Sequence, residues 1–310
     1  LQIVHLQYQT AAFRMAGLLH LYPRLFSNPS GPRFVTTFHD LRFPYLFPKA
    51  GDRLRQALVW ELGRHSAGVV TTNGADAARL AAALGPAVPL AQIPLGATVR
   101  LGPPPDEGAL AALRARLGLG AGEFVTGHFG FLNRSKGADI LFQAAAQARA
   151  AGIPLRLLML GERLGDSDPT NLAYAEGLDR LAAHLKLDPL WTGPLRDEEL
   201  GAYFALCDVV ALPFLDGASL RRTSLQAALL AGRPVISTWP AAEDLAALPE
   251  GEGLCYVGRG ELGELAGALG RLYGDEGERS KLGAGARRLA ARFDWGEIAG
   301  QHLGFYERLK

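Results

Sequence analysis

The 310-residue chain reads as an α/β protein of two domains, each built on a parallel sheet. Three observations lead there. Short runs rich in Val, Ile, Leu and Phe alternate with Ala/Leu/Arg segments of helical period, the order expected when strands are covered on both faces by crossover helices. With 48% hydrophobic residues and a net charge of +1 the chain can bury a large core, and a single core stops growing near about 250–300 residues. A polar, Pro/Gly-bearing stretch at 100–108 (RLGPPPDEG) separates two series of strands.

Before that linker, 3–8 (IVHLQY), 34–39 (FVTTFH), 68–73 (GVVTTN) and 92–96 (QIPLG) read as strands. Four strands are too few for a complete doubly wound unit, and the text opens in mid-strand, so a preceding segment is expected to be missing. After the linker, 124–131, 155–161, 190–193, 209–214, 234–238 and 254–258 each run into a helical segment, and helices near 278–292 and 294–309 close the chain. The expected division is 1–103 and 104–310.

A near-neutral total argues against a dedicated nucleic-acid binder, yet residues 1–100 hold ten Lys/Arg against four Asp/Glu. Arg14, Arg24, Arg33, Arg42, Lys49, Arg53 and Arg55 belong to this surplus. It either faces water or attracts anionic lipid headgroups, at about 1 kcal/mol per basic residue near the surface. Cys207 and Cys255 stand in apolar contexts; two are too few for a disulfide framework or a thiolate metal site, and they read as buried thiols in a reducing cytoplasm. No apolar run reaches the roughly 18 residues needed to span a bilayer, and the start lacks the order of a signal peptide. The expected location is the cytoplasm, with peripheral contact at the inner membrane face as the extreme case.

In open parallel sheets, ligands bind beyond the carboxyl ends of strands. Polar residues gather there in this sequence: Gln7, Tyr8 and Gln9; His39 and Asp40; Asn133, Arg134, Ser135 and Lys136; Asp216, Gly217 and Ser219. A cleft between two sheets would collect them. Two helix starts are basic, at Lys136-Gly137 and at Arg221 and Arg222, read here as the first turn of the helix after 209–214. A cation in a first turn opposes the helix dipole by about 0.3–1 kcal/mol, so two such placements are most economically explained by one diphosphate between them. Gly217 and Ala218 would allow close backbone approach, Ser219 would serve as N-cap or phosphate ligand, and Thr223 and Ser224 would add hydroxyls. The plain alternative turns Arg221 and Arg222 toward Asp216 or water and leaves Arg134 and Lys136 solvated.

His39 ends a buried strand and reads either as a structural hydrogen-bonder or as a residue of the cleft, with Phe43, Tyr45 and Phe47 as an apolar wall for an acceptor. His5, His20, His65, His128, His184 and His302 read as structural. Asp166-Ser167-Asp168 matches a metal-holding Asp-x-Asp, but the Pro169 that follows suits a helix start capped by Asp168. Gly118, Gly120 and Gly122 lack the dinucleotide spacing.

The stretches 34–40 (FVTTFHD), 93–96 (IPLG), 129–141 (FGFLNRSKGADIL), 158–162 (LMLGE), 191–214 (WTGPLRDEELGAYFALCDVVALPF) and 231–238 (AGRPVIST) run in an order that resembles the retaining glycosyltransferases of family four. The resemblance implies the GT-B fold: two Rossmann-like domains with parallel sheets facing a central cleft. It implies transfer of a hexosyl group from a nucleoside diphosphate sugar, UDP ahead of GDP, to a hydroxyl of a carbohydrate or glycolipid acceptor, with no metal and no further cofactor. The second domain would hold the donor, the first would receive the acceptor, and helix 294–310 would cross back to the first.

Residue by residue, the resemblance puts Lys136 on the diphosphate, with Phe131 where the family has a partner arginine and Arg134 as its substitute. His39 falls near the reacting sugar, Gly130, Gly161 and Leu195 at the nucleotide, and Tyr8, Gln9 and Asp40 on the acceptor side. The family's two glutamates, eight residues apart, fall on Ser219 and Ala227; Asp216 is the candidate replacement for the first, and nothing replaces the second. A non-catalytic relative that binds nucleotide or supports a partner enzyme is therefore the alternative reading, and a sugar-nucleotide epimerase a third.

Overall fold

A computed structural model of the chain describes residues 3–9, 12–13, 17–26, 31–41, 51–163 and 169–309. Arg14, Arg42, Lys49, Phe43, Tyr45, Phe47, Asp166, Ser167 and Asp168 lie outside the described residues, as does the side chain of Arg55. The chain divides into two compact units, Leu1–Gly96 with Ala242–Asp244 and Asp294–Lys310, and Ala97–Ala241 with Leu245–Phe293.

In the first unit β1 (Ile3–Tyr8), β2 (Arg33–Phe38), β3 (Gly68–Thr71) and β4 (Leu90–Gln92) pair in parallel in chain order. β4 ends at residue 92 and not at 96. The Ile93 N–H still reaches Thr71 O (2.9 Å), but Pro94 has no N–H with which to continue the ladder. The connecting helices are α1 (Tyr22–Phe26), α2 (Gly51–Arg64) and α3 (Gly74–Leu84). Asn73, in extended conformation, caps α3 by accepting the Asp76 N–H at 2.9 Å. The Asp244 carboxylate accepts the Gly74 N–H at 2.7 Å, which ties the short 242–244 segment to this unit; a side chain at 74 would strike the Glu243 carbonyl.

The final helix, Trp295–Arg308, starts where Asp294 accepts the Gly296 and Glu297 N–H groups. Its Ile298 and Phe305, with Leu309 just beyond, pack on Val35, Val70 and Ile93 of the first unit's sheet. Gly68 permits this approach, because a Cβ there would come within 2.8 Å of the Phe305 ring.

The second unit holds β5 (Phe124–Phe129), β6 (Leu155–Leu160), β7 (Leu190–Trp191), β8 (Val209–Leu212), β9 (Val235–Thr238) and β10 (Leu254–Val257), all parallel, in the order β10-β9-β8-β5-β6-β7. The order reverses between β5 and β8, which makes the carboxyl ends of those two strands the topological switch point. Its helices are α4 (Glu107–Arg116), α5 (Ala138–Ala150), α6 (Pro169–His184), α7 (Asp197–Leu206), α8 (Thr223–Leu230), α9 (Leu262–Gly274) and α10 (Glu276–Ala290).

Both faces of this sheet are covered, which is why its strands read as continuous apolar runs. One face buries Val125, Val210, Phe204, Leu225 and Ala286, the other Phe124, Leu157, Phe142, Leu265 and Leu269. Cys207 and Cys255 are buried free thiols. Burial raises the Cys207 thiol to about 12, so it behaves as a small apolar side chain. Among the described residues no helix is long and apolar enough to cross a membrane.

Phe305 is 2% exposed and Leu303, on the same helix, is 61% exposed. Phe305→Ala is expected to cost about 3–5 kcal/mol of stability in urea unfolding, whereas Leu303→Ala should change it by no more than about 0.5 kcal/mol.

Candidate active site

The connection from β5 to α5 is a tight, cationic turn. Gly130 (φ 117°) lets the backbone reverse after β5, residues 134–136 make one 3₁₀ turn, and Gly137 (φ 66°) stands in the left-handed region before α5 begins at Ala138. A side chain at 137 would strike the Pro213 carbonyl, and one at 130 would strike Lys136 Nζ. The lysine is thus folded back over the glycine turn. The Leu215 N–H bonds Ser135 O at 2.9 Å, tying the turn to the loop that follows β8. Burial, aided by Arg222, lowers the Lys136 ammonium to about 8. Among the described residues Lys136 makes no ion pair.

After β8, Arg222 occupies the N-cap position of α8 in extended conformation, with Arg221 before it. Both therefore precede the first turn instead of lying in it, because α8 starts at Thr223. Ser219 does not cap this helix: it lies three residues upstream, and its carbonyl accepts the Arg222 N–H at 3.0 Å. The Arg222 guanidinium lies 4.2 Å over the Phe214 ring and pairs with Asp216, while its buried Nε has no partner. Asp216, 60% exposed, is the counter-ion of Arg222, as the plain alternative had it. Gly217 (φ 96°) is needed because a Cβ would meet Trp239 O at 2.7 Å and the Arg259 guanidinium; its freedom serves packing at the end of β9.

A cavity of about 540 Å³ opens at the carboxyl ends of β5, β6, β7 and β8. It brings together Gly130, Lys136, Gly161, Leu195, Arg221, Arg222, Thr223 and Ser224 among the expected residues. Arg134, Asp216, Gly217 and Ser219 are not part of its wall: Arg134 is exposed on the 3₁₀ turn, Asp216 is paired with Arg222, and Gly217 packs against Trp239 and Arg259. Phe129, Phe131, Glu162, Pro194, Asp197 and Leu200 also line it and were not singled out from the sequence. The strand-end rule applied to β5 and β8 finds Glu162 and Pro194 when it is applied equally to β6 and β7.

The cavity is graded. Lys136 and Arg222 stand at the β5–β8 end, beside the start of α8, whose first N–H groups lack intrahelical partners. The floor is apolar: Phe129, Leu195 and Leu200 belong to the same cluster as fully buried Ala227. The Gly161 N–H donates to Thr192 Oγ1 (3.0 Å), and Gly161 bridges Gly193, which fixes the two loops on the far side.

In the first unit Tyr8 is fully buried and its hydroxyl bonds His20 (2.8 Å), so it is a core residue and not a surface for an acceptor. Gln9 is exposed and Asp40 half-buried. His39 Nε2 hydrogen-bonds Gln7 Oε1 at 2.8 Å, and burial lowers its pKa against the opposing pull of Asp40. His5, between Thr37 Oγ1 (2.8 Å) and the Tyr306 hydroxyl (2.5 Å), is lowered to about 4 by burial, then by His302 and His39. His128 is buried against Ala211 O (2.8 Å), and burial lowers it to about 4, so it stays neutral below Lys136. His65 pairs with Glu61, and His302 bonds the Ile298 carbonyl.

Two parallel-sheet units of this kind are the GT-B fold. Over 99% of its length the chain is similar to the crystal structure of Anabaena HepE in complex with UDP (TM-score 0.77, 21% identity, 79% of that chain covered). Sucrose-phosphate synthase from Thermosynechococcus elongatus is similar over the same share (TM-score 0.73, 24% identity, 73% of that chain covered). Residues 123–275 match the family described as glycosyl transferases group 1. The D-inositol 3-phosphate glycosyltransferase of Corynebacterium urealyticum is 31% identical over 224 residues, 71% of this chain and 51% of that protein. The MMP alpha-(1->4)-mannosyltransferase of Mycolicibacterium hassiacum is 30% identical over 178 residues, 56% of this chain and 40% of that protein. The chain spans about half the length of the curated relatives it matches.

Lys136, held at about 8 where 10.5 is ordinary, binds fewer protons in the folded than in the unfolded chain between those values, so its contribution to stability rises with pH through that window. Lys136→Met should therefore be more stable than the parent at pH 7 in urea unfolding without nucleotide, and the gap should narrow as pH rises from about 8 to 10.5.

Proposed function

We propose that the chain is part of a retaining glycosyltransferase of family four that moves a hexosyl group from a nucleoside diphosphate sugar, UDP ahead of GDP, to an acceptor hydroxyl in polysaccharide or glycolipid synthesis. The second unit would hold the donor and the first would receive the acceptor. The observation that carries this reading is the desolvated, unpaired Lys136 in one cavity with Arg222 and the start of α8. A half-buried lysine beside a second cation is stabilised when an anion joins it, and a diphosphate fits the charge and the helix start together.

The chemistry asks for charge stabilisation more than proton transfer. As the bond from the anomeric carbon to the diphosphate oxygen lengthens, negative charge collects on the leaving group, and Lys136, Arg221, Arg222 and the α8 N–H groups meet it. His39, oriented by Gln7, would stand on the side of the reacting sugar. HepE was crystallised with UDP, which supports UDP as the first donor to try. The relative named for D-inositol 3-phosphate adds inositol phosphates to the acceptors to be screened, and the one named for mannosyl transfer adds mannose to the sugars.

A second reading, a binding protein without turnover, is favoured by one observation: Ala227 is fully buried among apolar side chains and Asp216 is paired with Arg222, so no carboxylate from 216–227 lines the cavity. Incubating the chain with labelled UDP-glucose and GDP-mannose separates the two, since transfer or slow hydrolysis occurs only in the first case. Lys136→Ala should lower turnover by about a hundred- to a thousandfold, and Arg221→Ala by less. Unchanged turnover in both would overturn the donor site. Nucleotide at a hundred times its dissociation constant adds about 2.7 kcal/mol of stability, which a thermal-shift screen of UDP, GDP and their sugars would detect.

Leu18, Leu25 and Phe26 are exposed in the first unit, with Arg24 adjacent in sequence to Leu25, and this supports peripheral contact with anionic lipid. Flotation with anionic liposomes should retain the chain at low salt and release it at high salt; no flotation at either would leave these arginines as a solvated face.

A further inference from the structure

On the reading that the second unit's cavity holds a nucleoside diphosphate, we infer that Glu162 is the residue that receives the ribose diol. The inference comes from the order of the strands. β8, β5, β6 and β7 are consecutive in the sheet, and neighbouring strands lie about 4.8 Å apart. Each contributes its carboxyl-end loop to the cavity: Arg222 after β8, Lys136 after β5, Glu162 after β6, Pro194 and Leu195 after β7. Read across the sheet, the wall runs from cations to Glu162 and then to the apolar Pro194 and Leu195, with Asp197 beyond them at the start of α7. A nucleoside diphosphate presents its groups in the same sequence, from anionic phosphates through a ribose with two adjacent hydroxyl donors to a flat base.

The chemistry of the middle position is specific. A carboxylate only accepts hydrogen bonds, with two oxygens, and a cis-diol supplies two donors at matching spacing. Glu162 makes no hydrogen bond or ion pair among the described residues. Its neighbour Arg163 does not neutralise it, since that guanidinium pairs with Asp179 (2.6 Å) and stacks on Trp191 (4.4 Å). The other carboxylate in the wall, Asp197, already accepts the Arg100 N–H at 3.2 Å at the start of α7. On the opposite side, α8 offers only buried Ala227 below Thr223. The loop carrying Glu162 is held by the Gly161 N–H to Thr192 bond, so the carboxylate stands on a fixed base.

The test measures binding of UDP, GDP, their 2′,3′-dideoxy analogues and inorganic pyrophosphate to the full chain and to its E162Q, E162A and D197N variants, by calorimetry. Glu162→Ala should weaken the nucleotide that binds by about 10- to 100-fold, with Glu162→Gln intermediate and Asp197→Asn near the parent. The dideoxy analogue should bind the parent about as weakly as the natural nucleotide binds Glu162→Ala, and that variant should not distinguish the two. Pyrophosphate should bind all four proteins alike, which also reports that the variants are folded. Unchanged UDP and GDP affinity in Glu162→Ala would overturn the assignment and leave the donor site standing. Equal losses for natural and dideoxy nucleotides would move Glu162 to the base and overturn it too. Failure of the parent to bind either nucleotide would overturn the donor site and this assignment together.

Discussion

Lys136 is the constraint on which the rest of the site depends. Its ammonium is half-buried, lies near a second cation and has no partner of opposite charge among the described residues. Folding alone would not favour that arrangement, because a desolvated charge is costly unless paired. Everything around the lysine nonetheless holds it there. Gly130 leaves room for Nζ, Gly137 reverses the chain against Pro213, and Ser135 is bonded to the β8–α8 loop. Local stability is given up for a preorganised positive potential at the switch point of a parallel sheet.

Arg222 is treated differently. It rests on Phe214, pairs with Asp216 and is largely buried. It therefore enters the cavity already partly neutralised, while Lys136 supplies the more responsive charge. An Asp216 engaged in this way has little freedom to act on a sugar, and that is where the chain departs furthest from what a carboxylate-bearing donor loop would provide. On the other side of the cavity stand two carboxylates, Glu162 after β6 and Asp197 at the start of α7.

Much of this was legible along the chain. The second unit's strands were readable because both faces of its sheet are covered, so a buried run such as VVAL carries no polar interruption. Lys136, Arg221, Arg222, Thr223 and Ser224 were legible because a helix start gives a one-dimensional signature. Ser219, read as N-cap or phosphate ligand, and Gly217, read as allowing close backbone approach, were placed by proximity in sequence within a loop whose path depends on Trp239, Arg259 and Thr238, and the cap falls on Arg222 instead. Tyr8 looked like a strand-end contact, but its ring turns inward to Phe38 and His20.

By itself, then, the sequence determined the strand and helix order, the cationic helix starts and the absence of glutamates at 219 and 227. These are local patterns, set by hydrophobic period and by which residue types stand at element ends. Only the tertiary structure decided that Glu162 and Asp197 share a wall with Lys136, that Asp216 serves Arg222, and that Lys136 is desolvated. Each of those facts depends on strand order and on contacts between residues distant in the chain, and no spacing along the backbone encodes how far a charge lies from water.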